Sequence, residues 1–270
     1  MKYLVVCDLD GSLLNNSGKI SNYTKEILHK IDKIGHKVVI ATGRPFSGAI
    51  NIYNSLEIKN ILITDNGGSI HHPHDKKFTT VKHFIPKKIT HKLFLETKKF
   101  LNSAFYSDEK NVYAYKYDPR LQMFFSSLDQ RKVIDKPFNE FDTEATGIIY
   151  LVKTDFIESF EKYMIESWKN ILSFRMWGKD KKHAIYEIYL SHISKASAID
   201  FTRKKYNILK ENTIAFGDGI NDFEMIKYSN PGVAMKNGIM ELKLSADQIT
   251  DYNNDEDGIA HFLEKFFKIS

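Results

Sequence analysis

Cysteine is nearly absent: Cys7 is the only one in 270 residues, so no internal disulfide can form and a disulfide-stapled scaffold is excluded. Long apolar runs are missing as well, and none approaches the roughly 20 residues that a membrane-spanning helix needs. Charge of one sign is not in large excess. The 39 Lys and Arg face 34 Asp and Glu, a formal net charge of +5, and the basic residues are scattered. That pattern speaks against a nucleic-acid stripe and for a solvated surface that favours anionic ligands. Internal repeats and low-complexity linkers are also lacking. What remains, at 42% hydrophobic and 27% charged residues, is an ordinary globular composition. Its length suits one large domain or two modest ones. The first apolar segment begins almost at the N-terminus, so the expectation is a chain without a signal peptide, cytoplasmic, with neither membrane nor nucleic acid as partner. Cys7 is expected to be a small buried core residue.

The most informative stretch is Lys2 to Leu14, KYLVVCDLDGSLL. An apolar run cut off by Asp and Gly reads as a buried parallel strand that ends in a loop. Asp8 then stands at the strand's carboxyl end, where open α/β sheets bind ligands, and Asp10 lies two residues on. Asp-x-Asp-Gly alone is equally compatible with a turn. A calcium loop fits poorly, because Leu13 falls where Gly is needed and Lys19 where Glu is needed.

The same pattern recurs along the chain. Ser21 opens a helix that Gly35 closes; KVVIA at Lys37 to Ala41 ends in Thr42-Gly43-Arg44-Pro45 and leads into a helix reaching about Leu56. Asn60 to Thr64 is a third strand, followed by Asp65-Asn66-Gly67-Gly68. These units imply a right-handed, mostly parallel sheet with its polar tips on one edge. From about Phe84 the texture changes. A helix over Pro86 to Leu101 is followed by aromatic-rich strands (Val112 to Tyr117, Gly147 to Val152, Ile171 to Trp177, Ala184 to Leu190) and a helix over Asp155 to Trp168. The parallel pattern then resumes: helix Lys195 to Tyr206, strand Thr213 to Phe216, the tip Gly217-Asp218-Gly219-Ile220-Asn221-Asp222, short strands at Val233 to Met235 and Gln248 to Thr250, and a closing helix Asp255 to Ile269. The fold class expected is α/β: a parallel-sheet domain formed by residues 1–83 and 189–270, with an α+β unit of residues 84–188 inserted.

Successive strand tips thus carry Asp8 and Asp10, then Thr42 and Gly43, then Asn66, then Asp218, Asn221 and Asp222, with Lys195 opening a nearby helix. Two carboxylates ~4 Å apart repel by about 4 kcal/mol at an effective dielectric of ~20, so such a cluster requires neutralisation. A hard divalent cation such as Mg²⁺ supplies it and leaves room for a phosphate, which Lys195 would hold against Asp8. Phosphoryl transfer is the chemistry suggested, with Asp8 placed to be a nucleophile and Asp10 to do acid–base work.

Four motifs in order, Asp8 to Ser12 (DLDGS), Ala41 to Arg44 (ATGR), Ser194-Lys195 and Gly217 to Asp222 (GDGIND), resemble those of the haloacid dehalogenase superfamily. More narrowly, Asn66 to Gly68 (NGG), Gly232 to Asn237 (GVAMKN) and Asp255 to Ala260 (DEDGIA) are similar to the Cof-type (IIB) phosphatases. The resemblance implies a Rossmann-like core with a mobile cap and a Mg²⁺-dependent phosphatase of small phosphorylated metabolites such as sugar phosphates, nucleotides or phosphorylated vitamin precursors. It implies Asp8 as nucleophile, Asp10 as general acid/base and, through its carbonyl, a metal ligand, and Asp218 as a further ligand alongside Asp8. Thr42, Gly43, Lys195 and Asn221 would bind phosphate, and Asp222, Asn66 and Arg44 would support the site, Arg44 by bracing its loop. Ser12 replaces the usual Thr and keeps the hydroxyl. Gly238 stands where Asn-Ala is common after Met235, leaving that loop's contacts open. A sugar phosphomutase on the same core and a non-catalytic phosphate-ligand sensor are the alternatives. Outside these motifs, His71, His72 and His74 are expected on a solvated hairpin, Trp168 and Trp177 in the inserted unit's core, and Lys179, Lys181, Lys182 and His183 on a solvated loop.

Overall fold

The computed structural model describes residues 1–108, 110–120 and 132–269. They form two compact units, Met1–Val81 with Ser194–Ser270, and Lys82–Ile193.

In the first unit, strands β1 (Leu4–Cys7), β2 (Lys37–Ala41), β3 (Leu62–Thr64), β4 (Ser69–His71) and β5 (Val81–Lys82) share one sheet with strands from the C-terminal segment. Six strands of the second unit intervene in sequence: β6 (Leu101–Ser107), β7 (Asn111–Tyr115), β8 (Lys132–Asp135), β9 (Ile148–Lys153), β10 (Leu172–Lys179) and β11 (His183–Leu190). The chain then supplies β12 (Thr213–Gly217), β13 (Gly232–Ala234) and β14 (Gln248–Ile249), and the sheet runs β14-β13-β12-β1-β2-β3-β4-β5. β1 lies at its middle, parallel to β12 and β2, with Leu4 opposite Thr213 and Lys37. The order from β14 to β3 is parallel; β4 turns back antiparallel on β3, an addition too short to carry a sequence period.

Alternation along β1 sets the layers. Val5 and Cys7 face helices α1 (Asn22–Lys33) and α2 (Phe46–Ser55), while Leu4 and Val6 face the other side. The second unit contributes α3 (Lys87–Thr97) and α4 (Ile157–Trp168); α5 (Lys195–Lys205), α6 (Phe223–Tyr228) and α7 (Met240–Ser245) cover the Leu4 face, and α8 (Gly258–Phe267) joins α1 and α2. Burial on both faces explains why these strands read as unbroken apolar runs. Cys7 is fully buried, as expected, and burial pushes its thiol pKa far up.

The second unit has a sheet ordered β10-β11-β9-β6-β7-β8, antiparallel except for the β7–β8 pair. Its main core gathers Phe94, Phe138, Tyr150, Phe160, Trp168 and Tyr186. The helix expected to reach Leu101 stops at Thr97, whose hydroxyl bonds back to the Leu93 carbonyl at 2.6 Å; Leu101 already opens β6. β11 runs to Leu190, and Ile193 still packs in this core.

Candidate active site

β1 ends by passing its ladder to Asp8, whose N–H bonds the Phe216 carbonyl at 3.0 Å. The chain then turns sharply: Leu13 N–H returns to the Asp8 carbonyl at 3.1 Å, and Gly11 takes φ +75°. Gly is required at position 11, since a Cβ there would lie 2.2 Å from Oδ2 of Asp218. β12 delivers Asp218 from the adjacent strand. Opposite, Ser194 caps α5 reciprocally with Ser197, which fixes Lys195 at the helix's first position. The Lys195 ammonium, fully buried, reaches Oδ1 of Asp8 at 2.5 Å and Oδ1 of Asp222 at 2.6 Å. Oδ2 of Asp222 accepts the N–H groups of Asp218 and Gly219, both at 3.0 Å. Ser12 donates its hydroxyl to Oδ1 of Asp218 at 3.0 Å. Carboxylate oxygens of Asp8, Asp218 and Asp222 fall within 4.8 Å of one another.

Three carboxylates with one ammonium leave the cluster short of positive charge. Burial drives the Asp8 carboxyl well above its usual range; Lys195 opposes this, while Asp222 and Asp218 add to it. Asp218 is pushed up to about 6, by burial first and Asp222 next, against the Ser12 hydroxyl and Lys195. Burial alone would favour a neutral amine at Lys195, but Asp222 and Asp8 outweigh it and raise its pKa. This imbalance, in a set of hard oxygen donors, fits a divalent cation. Both oxygens of Asp222 already accept protein donors, which leaves Asp8 and Asp218 as the better carboxylate ligands.

The Asp10 carboxylate does not join this group. It lies toward solvent and takes Arg44 in a forked pair, Nη2 to Oδ1 at 2.6 Å and Nε to Oδ2 at 2.8 Å. Arg44 therefore touches a proposed site residue directly, beyond the loop-bracing role expected of it. Thr42, fully buried, accepts the Arg44 N–H on its hydroxyl at 3.1 Å. Asn221 donates to Oδ1 of Asn66 at 2.9 Å, and both side chains crowd Gly43, where a Cβ would meet them at 3.0 to 3.4 Å.

Sequence reasoning left two participants unassigned. Asn237 donates to the Gly11 carbonyl at 2.7 Å and accepts the Asn254 N–H at 3.0 Å, which supplies the loop contact left open beside Gly238. Both lie in or beside the GVAMKN and DEDGIA stretches, the one signal that pointed to them. Two expectations away from the site need correction. His71 is buried beside Phe46 and the Thr64 hydroxyl, because β4 tucks it against the sheet; only His74 of the three is exposed. Trp177 is 38% exposed and donates to Glu187, so it is not a core residue like Trp168.

The sequence matches the family of haloacid dehalogenase-like hydrolases over residues 5–263. It is 28% identical over 268 residues to the 5-amino-6-(5-phospho-D-ribitylamino)uracil phosphatase YitU of Bacillus subtilis, covering 99% of this chain and 98% of that one. Identity to the phosphatase YwpJ of the same organism is 30% over 288 residues, with 97% and 98% covered. Among solved structures, the subclass IIB sugar phosphatase BT4131 matches with a TM-score of 0.79 at 25% identity, covering 99% of this chain and all of that one.

Proposed function

The chain belongs to the haloacid dehalogenase-like hydrolases and is a phosphatase of their Cof-type branch; on that premise we propose that it hydrolyses small phosphomonoesters with Mg²⁺, through an aspartyl-phosphate on Asp8. The observation that carries the reading is Lys195, buried between Asp8 and Asp222, with Asp218 and Ser12 in the same cluster. Bound Mg²⁺, held by Asp8, Asp218 and the Asp10 carbonyl, would offset the carboxylates and withdraw charge from the phosphoryl oxygens.

The chain's own groups do the rest. A carboxylate oxygen of Asp8 attacks phosphorus as the bond to the leaving oxygen breaks, and Asp10 gives that oxygen its proton. To do so the Asp10 side chain must exchange Arg44 for the leaving group. Water then attacks phosphorus, its proton passes to Asp10, and the bond between phosphorus and Asp8 breaks. Lys195 holds the Asp8 carboxylate and the phosphoryl oxygens, Thr42, Gly43 and Asn221 fix the phosphate, and Asp222, Asn66 and Arg44 keep these groups in place. The unit Lys82–Ile193 is the cap in this reading.

The names of YitU and BT4131 support a substrate whose phosphate sits on a sugar or polyol carbon. Asp8→Asn is expected to abolish phosphate release from an aryl phosphate in excess Mg²⁺ with the circular dichroism unchanged. Undiminished turnover would remove Asp8 as nucleophile. A panel of sugar, polyol and nucleoside monophosphates, assayed for free phosphate, tests the substrate class, and isomerised product without free phosphate would indicate a mutase.

A further inference from the structure

Two stretches of the chain bear on the site without supplying any group to the chemistry: the turn after β13 and the segment before α8. They are joined by a chain of amides. Asn237 has one partner for each end of its side chain, the Gly11 carbonyl on Nδ2 and the Asn254 N–H on Oδ1, so its amide cannot turn over without losing both bonds. Asn254, 8% exposed, extends its own Nδ2 to the Leu14 carbonyl at 2.9 Å and to Oδ1 of Asn16 at 3.3 Å. Asn16 is held in turn by Asp255, its N–H lying 2.7 Å from Oδ1 and its side-chain amide on Oδ2. The other side of the same turn rests on Asp218: the Ile239 N–H bonds the Asp218 carbonyl at 2.9 Å, and a Cβ on Gly238 would come within 3.2 Å of the Asp218 Cα.

We infer that Asn237 and Asn254 are positioning residues which clamp the Gly11-Ser12 peptide, next after Asp10, against the Asp218 loop, making the C-terminal segment a part of the catalytic apparatus. The geometry leaves the loop few other ties there. Gly11 is left-handed and lacks a side chain, the Asp10 side chain points to Arg44, and between the Ser12 hydroxyl and the Leu13 N–H the peptide is anchored from the Asp8 and Asp218 side. Asn237 is the tie that takes hold of the carbonyl of residue 11 from the opposite side. A shift of this peptide by about 1 Å would displace Asp10 relative to Asp8 and Asp218, enough to cost on the order of 100-fold in rate.

The inference rests on the proposed Asp8 chemistry for its kinetic part, and the experiment separates the two. Asn237→Asp keeps the size and the acceptor for Asn254 but sets an anionic oxygen against the Gly11 carbonyl; Asn254→Asp does the same toward Leu14. In the full chain, with an aryl phosphate and saturating Mg²⁺, both variants are expected to lose roughly 10- to 100-fold in kcat with KM changed less than about threefold. Hydrogen–deuterium exchange should rise in the peptide covering residues 9–16 and stay unchanged in β2 and β12. Asn237→Gln, too long for both partners, should behave like Asn237→Asp. Unchanged exchange over residues 9–16, or raised exchange with wild-type kcat, overturns the inference. Turnover that is absent in the unmodified chain, or that survives Asp8→Asn, counts against the Asp8 reading instead, and the exchange result still decides whether Asn237 holds the loop.

Discussion

The Lys195 side chain is fully buried, and its ammonium is held by the carboxylates of Asp8 and Asp222. Removing one partner from a buried ionic group costs about 3–5 kcal/mol, because the charges left behind lose their compensation. Lys195→Met is accordingly expected to lower the unfolding free energy by that order in urea titrations with EDTA present, to abolish phosphate release, and to recover part of the lost stability when Mg²⁺ is added. The carboxylates give a pH signature. Asp218 titrates near 6 in the folded chain against 3.8 for an unperturbed Asp, so between those values the folded state binds more protons than the unfolded one. The contribution of Asp218 to the stability of the metal-free protein should therefore fall as pH rises through about 4 to 6, a trend that Asp8 extends in the same direction and that His36, His72 and His83, their pKa values lowered by burial, oppose; the difference between the wild type and Asp218→Asn isolates it. Mg²⁺ needs the deprotonated forms, so it should bind more weakly at pH 5 than at 7.5 and abolish the loss of stability at higher pH. Melting temperatures in EDTA and in Mg²⁺ across this range check both statements.

At the scale of elements, α5 is placed by its N-terminus. Gly67 has φ +98°, and a Cβ there would lie 2.2 Å from the Ser194 carbonyl. Gly67→Ala is expected to cost about 1–3 kcal/mol in strain and to push Lys195 off Asp8; Ser194→Ala, which removes the cap, should cost about 1 kcal/mol. Melting temperature and kcat should fall together in both. The β1, β2 and β12 strands were legible because apolar runs buried on both faces stop at Asp, Thr or Gly. β6 was not: LNSAFYS follows a helix without a break residue, and only pairing with β7 and β9 makes it a strand. Within the site, Asp8, Lys195 and Asp218 announce themselves by charge at strand tips and a helix start. Asn237 and Asn254 do not, since an amide that meets a backbone carbonyl hundreds of positions away has no charge, spacing or period to mark it. The pairing of Asp10 with Arg44 is hidden for a similar reason: each residue had its own assignment, and only the fold brings them together.

In the molecule as a whole, each unit has its own core, and the candidate site draws its carboxylates and lysine from the unit that contains β1. That strand also carries the chain's one thiol, in the middle of an eight-stranded sheet and next to the proposed nucleophile. A disulfide reagent can reach Cys7 only when the helices packed over that face of β1 lift away, so the labelling rate in native buffer becomes a clock for the opening of that layer. Mg²⁺ seated at Asp8 should slow that clock, and an Asp8→Asn, Asp218→Asn chain should run at one speed with or without the ion.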